Sequence, residues 1–204
     1  MITTQMYGAL EYVRRWLIQC TQAVLNVNLS QVNILIVPND MLLGANTPEG
    51  RNPAIYINRN TPPIVIKKWE TYLRDYKEEH ASEDIRLGQI MPTRVICVRP
   101  LVFNTMTLLQ RCGIIWHEYG HAYLEAAGRP NTEQNAYLFE VQMLDYACTT
   151  NLFSHNGITV TQVTQYLDWR QTQYNIGIQP ALTRALGALR TKLAQLAAHR
   201  FMTA

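Results

Sequence analysis

The sequence predicts an α+β fold, with a small mixed sheet and helices in the N-terminal half and helices alone in the C-terminal half. Short apolar segments of strand length occur only before residue 100, whereas helical spacing of apolar residues continues from Asn104 to the end of the chain. The 204 residues are 48% apolar and 16% charged, which is enough for one well-packed core. We therefore predict a single domain over residues 1–204.

The N-terminal half is predicted to contain two helices and three strands. Residues 7–25 carry apolar side chains at helical spacing, and residues 66–87 do so within a strongly charged segment. Apolar or alternating segments indicate strands at 32–37, 54–58 and 94–98, and composition indicates a loop at 44–53. This half therefore mixes helices with a few strands.

The C-terminal half is predicted to be four helices, at about 105–127, 132–150, 159–173 and 180–200. Gly128 and Pro130 end the first of these, because glycine readily follows a helix and proline cannot continue one. Asn131 or Thr132 caps the second. A break this short predicts that the first two helices pack against each other.

Composition and charge exclude several classes of protein. The net charge of +3 is small and no Lys/Arg cluster occurs, so we predict no nucleic-acid partner. No apolar run approaches the ~18 residues that a membrane span needs. Arg14 and Arg15 interrupt the N-terminal segment, so we predict no cleavable signal peptide and a cytoplasmic protein at synthesis. Export would then require a specialised secretion system.

Residues 117–121 read His-Glu-Tyr-Gly-His, which is an H-E-x-x-H motif on a predicted helix. Residues i and i+4 share one face of a helix, so His117 and His121 can hold one metal ion. Two imidazoles and one carboxylate leave an open position on zinc, as a catalytic site requires. Glu118 is placed to act as general base on water at that position. The motif predicts a Zn²⁺-dependent hydrolase.

The third metal ligand is predicted to be Glu140, with Glu133, Asp145 and His155 as less favoured candidates. The first helix continues for about six residues past His121, and an antiparallel second helix must descend by the same length to return to the metal. Glu140 satisfies this length and lies in an apolar stripe, where an unpaired carboxylate would be costly to bury. Glu133 stands at the start of the helix, where it favours the helix dipole.

These residues resemble the gluzincins, zinc metallopeptidases with H-E-x-x-H and a glutamate on a following helix. The eighteen residues between His121 and Glu140 are similar to the gap in their aminopeptidase branch. The resemblance covers residues 117–140 and implies a zincin-like fold, with His117, His121 and Glu140 as zinc ligands and Glu118 as base. It also implies that an edge strand, 54–58 or 94–98, binds the substrate backbone.

The sequence departs from relatives of that family at several positions. Leu144 stands where thermolysin-like enzymes have an aspartate that supports a ligand histidine, so we predict Asp145 in that role. The glycine-rich motif of aminopeptidases is absent, which favours an endopeptidase. Leu124 and Ala127 replace the glycine and third histidine of metzincins, which excludes that family.

The predicted function is therefore a zinc endopeptidase that acts on protein or peptide. Tyr174 is our predicted donor to the oxyanion, chosen from Tyr146, His155, Tyr166 and Tyr174 in the C-terminal helices. A small chain of this kind resembles secreted bacterial effectors and toxins, which implies an inhibitory or delivery partner. Two further functions compete with this prediction: a metal-binding but inactive interaction module, and a zinc amidase that acts on cell-wall peptide.

Overall fold

A computed structural model describes residues 4–25, 29, 32–37, 53–58, 60–79, 94–174 and 179–202. Eleven elements occur within these ranges. The strands are β1 (Asn33–Ile36), β2 (Ala54–Ile57) and β3 (Val95–Val98). The helices are α1 (Thr4–Leu25), α2 (Pro63–Glu79), α3 (Leu101–Thr105), α4 (Leu108–Ala126), α5 (Glu133–Thr149), α6 (Leu152–His155), α7 (Val160–Tyr174) and α8 (Pro180–Met202).

The three strands form a mixed sheet in the order β1-β3-β2. The central strand β3 runs parallel to β1 and antiparallel to β2. All four of its residues are buried, since Val95 and Cys97 pack with α2 on one face while Ile96 and Val98 join the main core on the other. Helices therefore cover both faces of the sheet, and β2 is one of its edge strands.

Helix α4 runs through the main core, and both of its ends are set by local signals. At its start, the Thr107 hydroxyl accepts a hydrogen bond from the Gln110 backbone N–H, and the Gln110 side chain accepts one from the Thr107 N–H. This reciprocal pair satisfies two backbone donors that would otherwise have no partner in the helix. At its end, Gly128 adopts a positive φ of 61° and turns the chain.

Helices α4 and α5 approach closely at Gly120. A Cβ atom at this position would lie 3.0 Å from the Ala136 Cα and 3.2 Å from the Phe139 Cβ. Glycine inside a helix costs about 1 kcal/mol relative to alanine, so a close helix contact gives it a structural reason. This contact fixes the level at which α5 meets the H-E-x-x-H segment.

The α+β class is confirmed, and the predicted strands and long helices correspond to described elements within a few residues. The short helices α3 and α6 were not predicted. The loop at 44–53 lies outside the described residues except at Pro53, as does the end of the predicted helix 66–87. All four cysteines are buried, unpaired thiols. Among the described helices, none combines the length and the apolar character needed to cross a bilayer.

Candidate metal centre

Three side chains from α4 and α5 converge at the H-E-x-x-H segment. The Glu133 carboxylate lies 3.1 Å from His117 Nε2 and 3.5 Å from His121 Nε2, one oxygen to each ring. Ligand atoms of these three residues all lie within 4.8 Å of one another. Two imidazole nitrogens and a carboxylate in this arrangement could hold a metal ion.

The surroundings orient both imidazoles. Asn131, in the turn before α5, places its side-chain oxygen 2.7 Å from His121 Nδ1. A proton on Nδ1 would donate to this oxygen, and this contact holds the ring with Nε2 on the side of Glu133. The Tyr137 ring lies against His117, with the ring centroids 4.2 Å apart.

Charge complementarity within the cluster shifts two pKa values in opposite directions. Hydrogen bonds to His117 and then His121 hold the pKa of Glu133 well below its usual range. Burial lowers the pKa of His121, but the hydrogen bond to Glu133, together with the charge of Glu118 and the Asn131 contact, raises it to about 9. A negative carboxylate therefore faces both imidazole rings.

Glu118 is buried between α4 and the sheet. Its Oε2 accepts a hydrogen bond of 2.7 Å from the backbone N–H of Tyr56, on β2. The Tyr56 hydroxyl in turn donates to Glu125, near the end of α4. One residue of β2 thus ties two glutamates of α4 to the sheet and fixes the strand beside the two histidines.

An open cleft of about 220 Å³ lies over this cluster. One wall is formed by β2 and the residues after it, including Ile55, Tyr56 and Asn58. The opposite wall contains the two histidines with Glu118, Asn131 and Glu133. The cleft brings a potential metal centre, a carboxylate and a strand together on one open surface.

The prediction of Glu140 as the third ligand disagrees with this geometry, because Glu133 is the carboxylate that faces both Nε2 atoms. The prediction assumed that the first turns of α5 return the chain to the level of the two histidines. Instead the turn from Ala127 to Thr132 makes the descent, since non-helical residues cover up to ~3.3 Å each. Ala136 then packs on Gly120, and Glu133, one turn earlier, already reaches His121.

Glu140 is instead fully buried behind His117, where its Oε2 lies 3.7 Å from Nδ1. The predicted oxyanion donor, Tyr174, contacts Glu140 and is not among the residues that line the cleft. Tyr174 is 3% exposed, and its hydroxyl donates to Glu140 Oε1 at 2.6 Å. Tyr166 donates to the same oxygen, and Arg170 forms an ion pair with Oε2. These three residues of α7 surround one carboxylate.

Three more residues that the sequence suggested for the site lie away from the cluster. Asp145 forms an ion pair with Lys192 on α8, so it does not support a ligand histidine. His155 is exposed in α6, and Tyr146 packs against the main core. Within the described ranges, His117, His121 and Glu133 are the only group of three or more histidine, cysteine, aspartate or glutamate side chains suited to a metal.

The sequence also contains a spacing that relates Glu133 to the site. Glu133, Tyr137 and Glu140 occur at i, i+4 and i+7, which places all three on one face of α5. That face meets His117, and the two glutamates approach opposite nitrogens of its ring. Both carboxylates therefore face the His117 ring. Their spacing places them on one face of α5, but only the crossing of α4 and α5 determines which carboxylate faces which ring nitrogen.

Gly113→Ala is expected to destabilise the protein through the carboxylate network. The added Cβ would lie 2.9 Å from Tyr166 Cε2, and nearer still to Cζ and Oη. Overpacking a buried site costs about 1–3 kcal/mol. Better helix propensity returns at most about 1 kcal/mol. The free energy of unfolding from urea titration measures the net loss.

Gly187→Ala on α8 is the matched control, because a Cβ there meets nothing within 4 Å. This variant should be as stable as wild type or more stable by up to about 1 kcal/mol. Equal stability changes in the two variants would contradict the proposed conflict with Tyr166.

Comparisons of the chain with models of protein families, with curated proteins and with solved structures found no match. We therefore infer the function from the geometry of the described residues and from the H-E-x-x-H motif.

Proposed function

We propose that this protein is a zinc-dependent endopeptidase. The observation that carries the proposal is the convergence of His117, His121 and Glu133 next to Glu118 in an open cleft. A site that contains three protein ligands and a neighbouring carboxylate matches the requirements of a hydrolytic zinc centre.

The donor set fits zinc in chemistry and spacing. Zinc bonds of about 2.0–2.1 Å in a tetrahedron separate neighbouring ligand atoms by about 3.3 Å. The carboxylate oxygens of Glu133 lie 3.1 and 3.5 Å from the two imidazole Nε2 atoms. When bound there, Zn²⁺ would polarise a substrate carbonyl and make water more acidic.

Glu118 and β2 supply the remaining functions. Oε2 of Glu118 is held by the Tyr56 N–H, and its second oxygen can take a proton from the attacking water and pass it to the leaving amine. Two strands are candidates to bind the substrate backbone. β3 is the central strand of the sheet, whereas β2 is an edge strand and lines the cleft. An extended peptide alongside β2 would bring its carbonyl groups to the metal centre.

Metal content tests the centre first. Purified wild type supplied with Zn²⁺ should hold about one zinc per chain, and Glu133→Ala should lose it at the same protein concentration. Glu70→Ala, an exposed glutamate of α2, is the control for removal of one negative charge and should retain the metal. Zinc retained in full by Glu133→Ala would contradict the assignment of the third ligand.

Hydrolysis assays then test the reaction. Casein cleavage that a chelator stops and added zinc restores would support the endopeptidase, whereas release of peptide from peptidoglycan alone would favour a cell-wall amidase. The hydrogen bond from Tyr56 to Glu118 favours one second candidate, a metal-binding module without activity, since it engages the proposed base. Zinc binding without cleavage of either substrate would support that module.

A further inference from the structure

The two proposed histidine ligands differ in what faces their second ring nitrogen. His121 Nδ1 contacts the neutral side-chain oxygen of Asn131 at 2.7 Å. His117 Nδ1 is buried with no hydrogen-bond partner, and Glu140 Oε2 faces it at 3.7 Å. A buried ring nitrogen without a partner costs about 1–3 kcal/mol, so its placement opposite a carboxylate requires an explanation.

Glu140 is held in place by one face of α7. Tyr166, Arg170 and Tyr174 follow each other at i, i+4 and i+8, and all three contact the carboxylate. Oε1 accepts from both tyrosine hydroxyls, at 2.5 and 2.6 Å, and lies 3.3 Å from Arg170 Nε. Oε2 accepts from Arg170 Nη2 at 2.7 Å and retains a lone pair on the side of His117.

The network also shifts the pKa values of the three donors on α7. Burial lowers the pKa of Arg170, but the neighbouring Glu140 raises it well above its usual value. The pKa values of Tyr166 and Tyr174 are also raised, first by burial and then by the charge of Glu140. The two tyrosines therefore remain donors beside a paired carboxylate, which has only Oε2 left to offer to the imidazole.

We propose that Glu140 is the positioning residue of His117. Glu140 faces the Nδ1 side of the ring and would accept its proton when Nε2, beside Glu133, binds the metal. The inference rests on the proposed metal centre. It assigns α7 a role in metal binding, although α7 contributes no residue to the cleft among those that line it.

A purely structural ion pair between Glu140 and Arg170 would not require this arrangement. Glu133 and Glu140 lie on the same face of α5, and each approaches a different nitrogen of the same ring. Ligand histidines commonly donate their second N–H to a carboxylate, and loss of that partner lowers metal affinity by about 10- to 100-fold. A positioning role therefore predicts a specific effect on zinc affinity and on the Nδ1 proton of one ring.

Zinc affinity of Glu140→Gln, measured by competition with a zinc-binding dye, is the first test. We expect an affinity about 10- to 100-fold lower than that of wild type. Asp145→Asn is the matched control, because it also removes one negative charge from α5 but its partner is Lys192. This control should bind zinc as tightly as wild type.

A second readout uses the zinc-loaded protein, in which Nε2 of His117 would bind the metal and Nδ1 would carry the proton. We expect the Nδ1 proton resonance of wild type and of Asp145→Asn at the low field of a proton shared with a carboxylate, and a shift to higher field in Glu140→Gln. A structural role of Glu140 alone would leave this resonance unchanged in a folded variant.

Glu140→Gln leaves Arg170 buried without its charge partner, so Glu140→Gln/Arg170→Met serves as a second variant. Replacing both members of a buried pair is better tolerated than removing one. The double variant should recover stability but not zinc affinity. Wild-type affinity in either folded variant, or an Nδ1 proton resonance that is the same in wild type and Glu140→Gln, would overturn the inference. Failure of wild type itself to bind zinc would overturn the metal centre together with it.

Discussion

Glu118→Gln is expected to lower the rate of zinc-dependent casein hydrolysis by about 100- to 10,000-fold, the usual contribution of a general acid–base group. Glutamine keeps an oxygen that can accept the Tyr56 N–H, so the side chain should stay where Glu118 lies. It cannot take a proton from water and deliver it to the leaving amine. Zinc content should therefore remain at the wild-type level while kcat falls.

Glu125→Gln provides a control on the same helix. Glu118 accepts from the Tyr56 backbone, whereas Glu125 accepts from the Tyr56 hydroxyl and is exposed. Both variants remove one carboxylate that contacts this residue, but only Glu118 lines the cleft with the histidines. We expect Glu125→Gln to retain most of the activity. Comparable losses in the two variants would assign the effect to the position of β2 and would contradict a role for Glu118 as base.

The strands and long helices could be predicted because their signals are local. β3 is continuously apolar because helices bury both of its faces, and the α4 ends follow from Thr107, Gln110 and Gly128 within a few residues of sequence. The spacing of His117 and His121 likewise needs only the period of a helix. For these features, the residues that determine the structure are neighbours in the chain.

Which glutamate faces the two histidines, and where Tyr174 lies, depend on how the helices cross, which local spacing does not determine. The contact of Gly120 with Ala136 sets the crossing of α4 and α5, and with it the choice between two glutamates on one face. The association of α7 with Glu140 joins residues more than twenty positions apart. Glu140 is a buried carboxylate, as predicted, and its ion-pair partner in the structure is Arg170.

Arg170→Met is expected to destabilise the protein by about 3–5 kcal/mol, because it leaves the buried charge of Glu140 without its ion-pair partner. Glu140 is fully buried and Arg170 is 8% exposed, so water cannot replace the lost contact. The two tyrosine hydroxyls still donate to Oε1, but neither carries a positive charge. Urea titration in the absence of zinc measures the loss without a contribution from metal binding.

Arg190→Met is the matched control for this change. Arg190 forms an ion pair with Asp168 at 2.9 Å, but both side chains are well exposed, so loss of this pair should cost no more than about 1 kcal/mol. Burial is thus the variable that separates two identical substitutions. If Arg170→Met were as stable as Arg190→Met, the charge of Glu140 would have to be neutralised by another group. Arg170 would then not be the group that holds Oε2 of Glu140 beside His117.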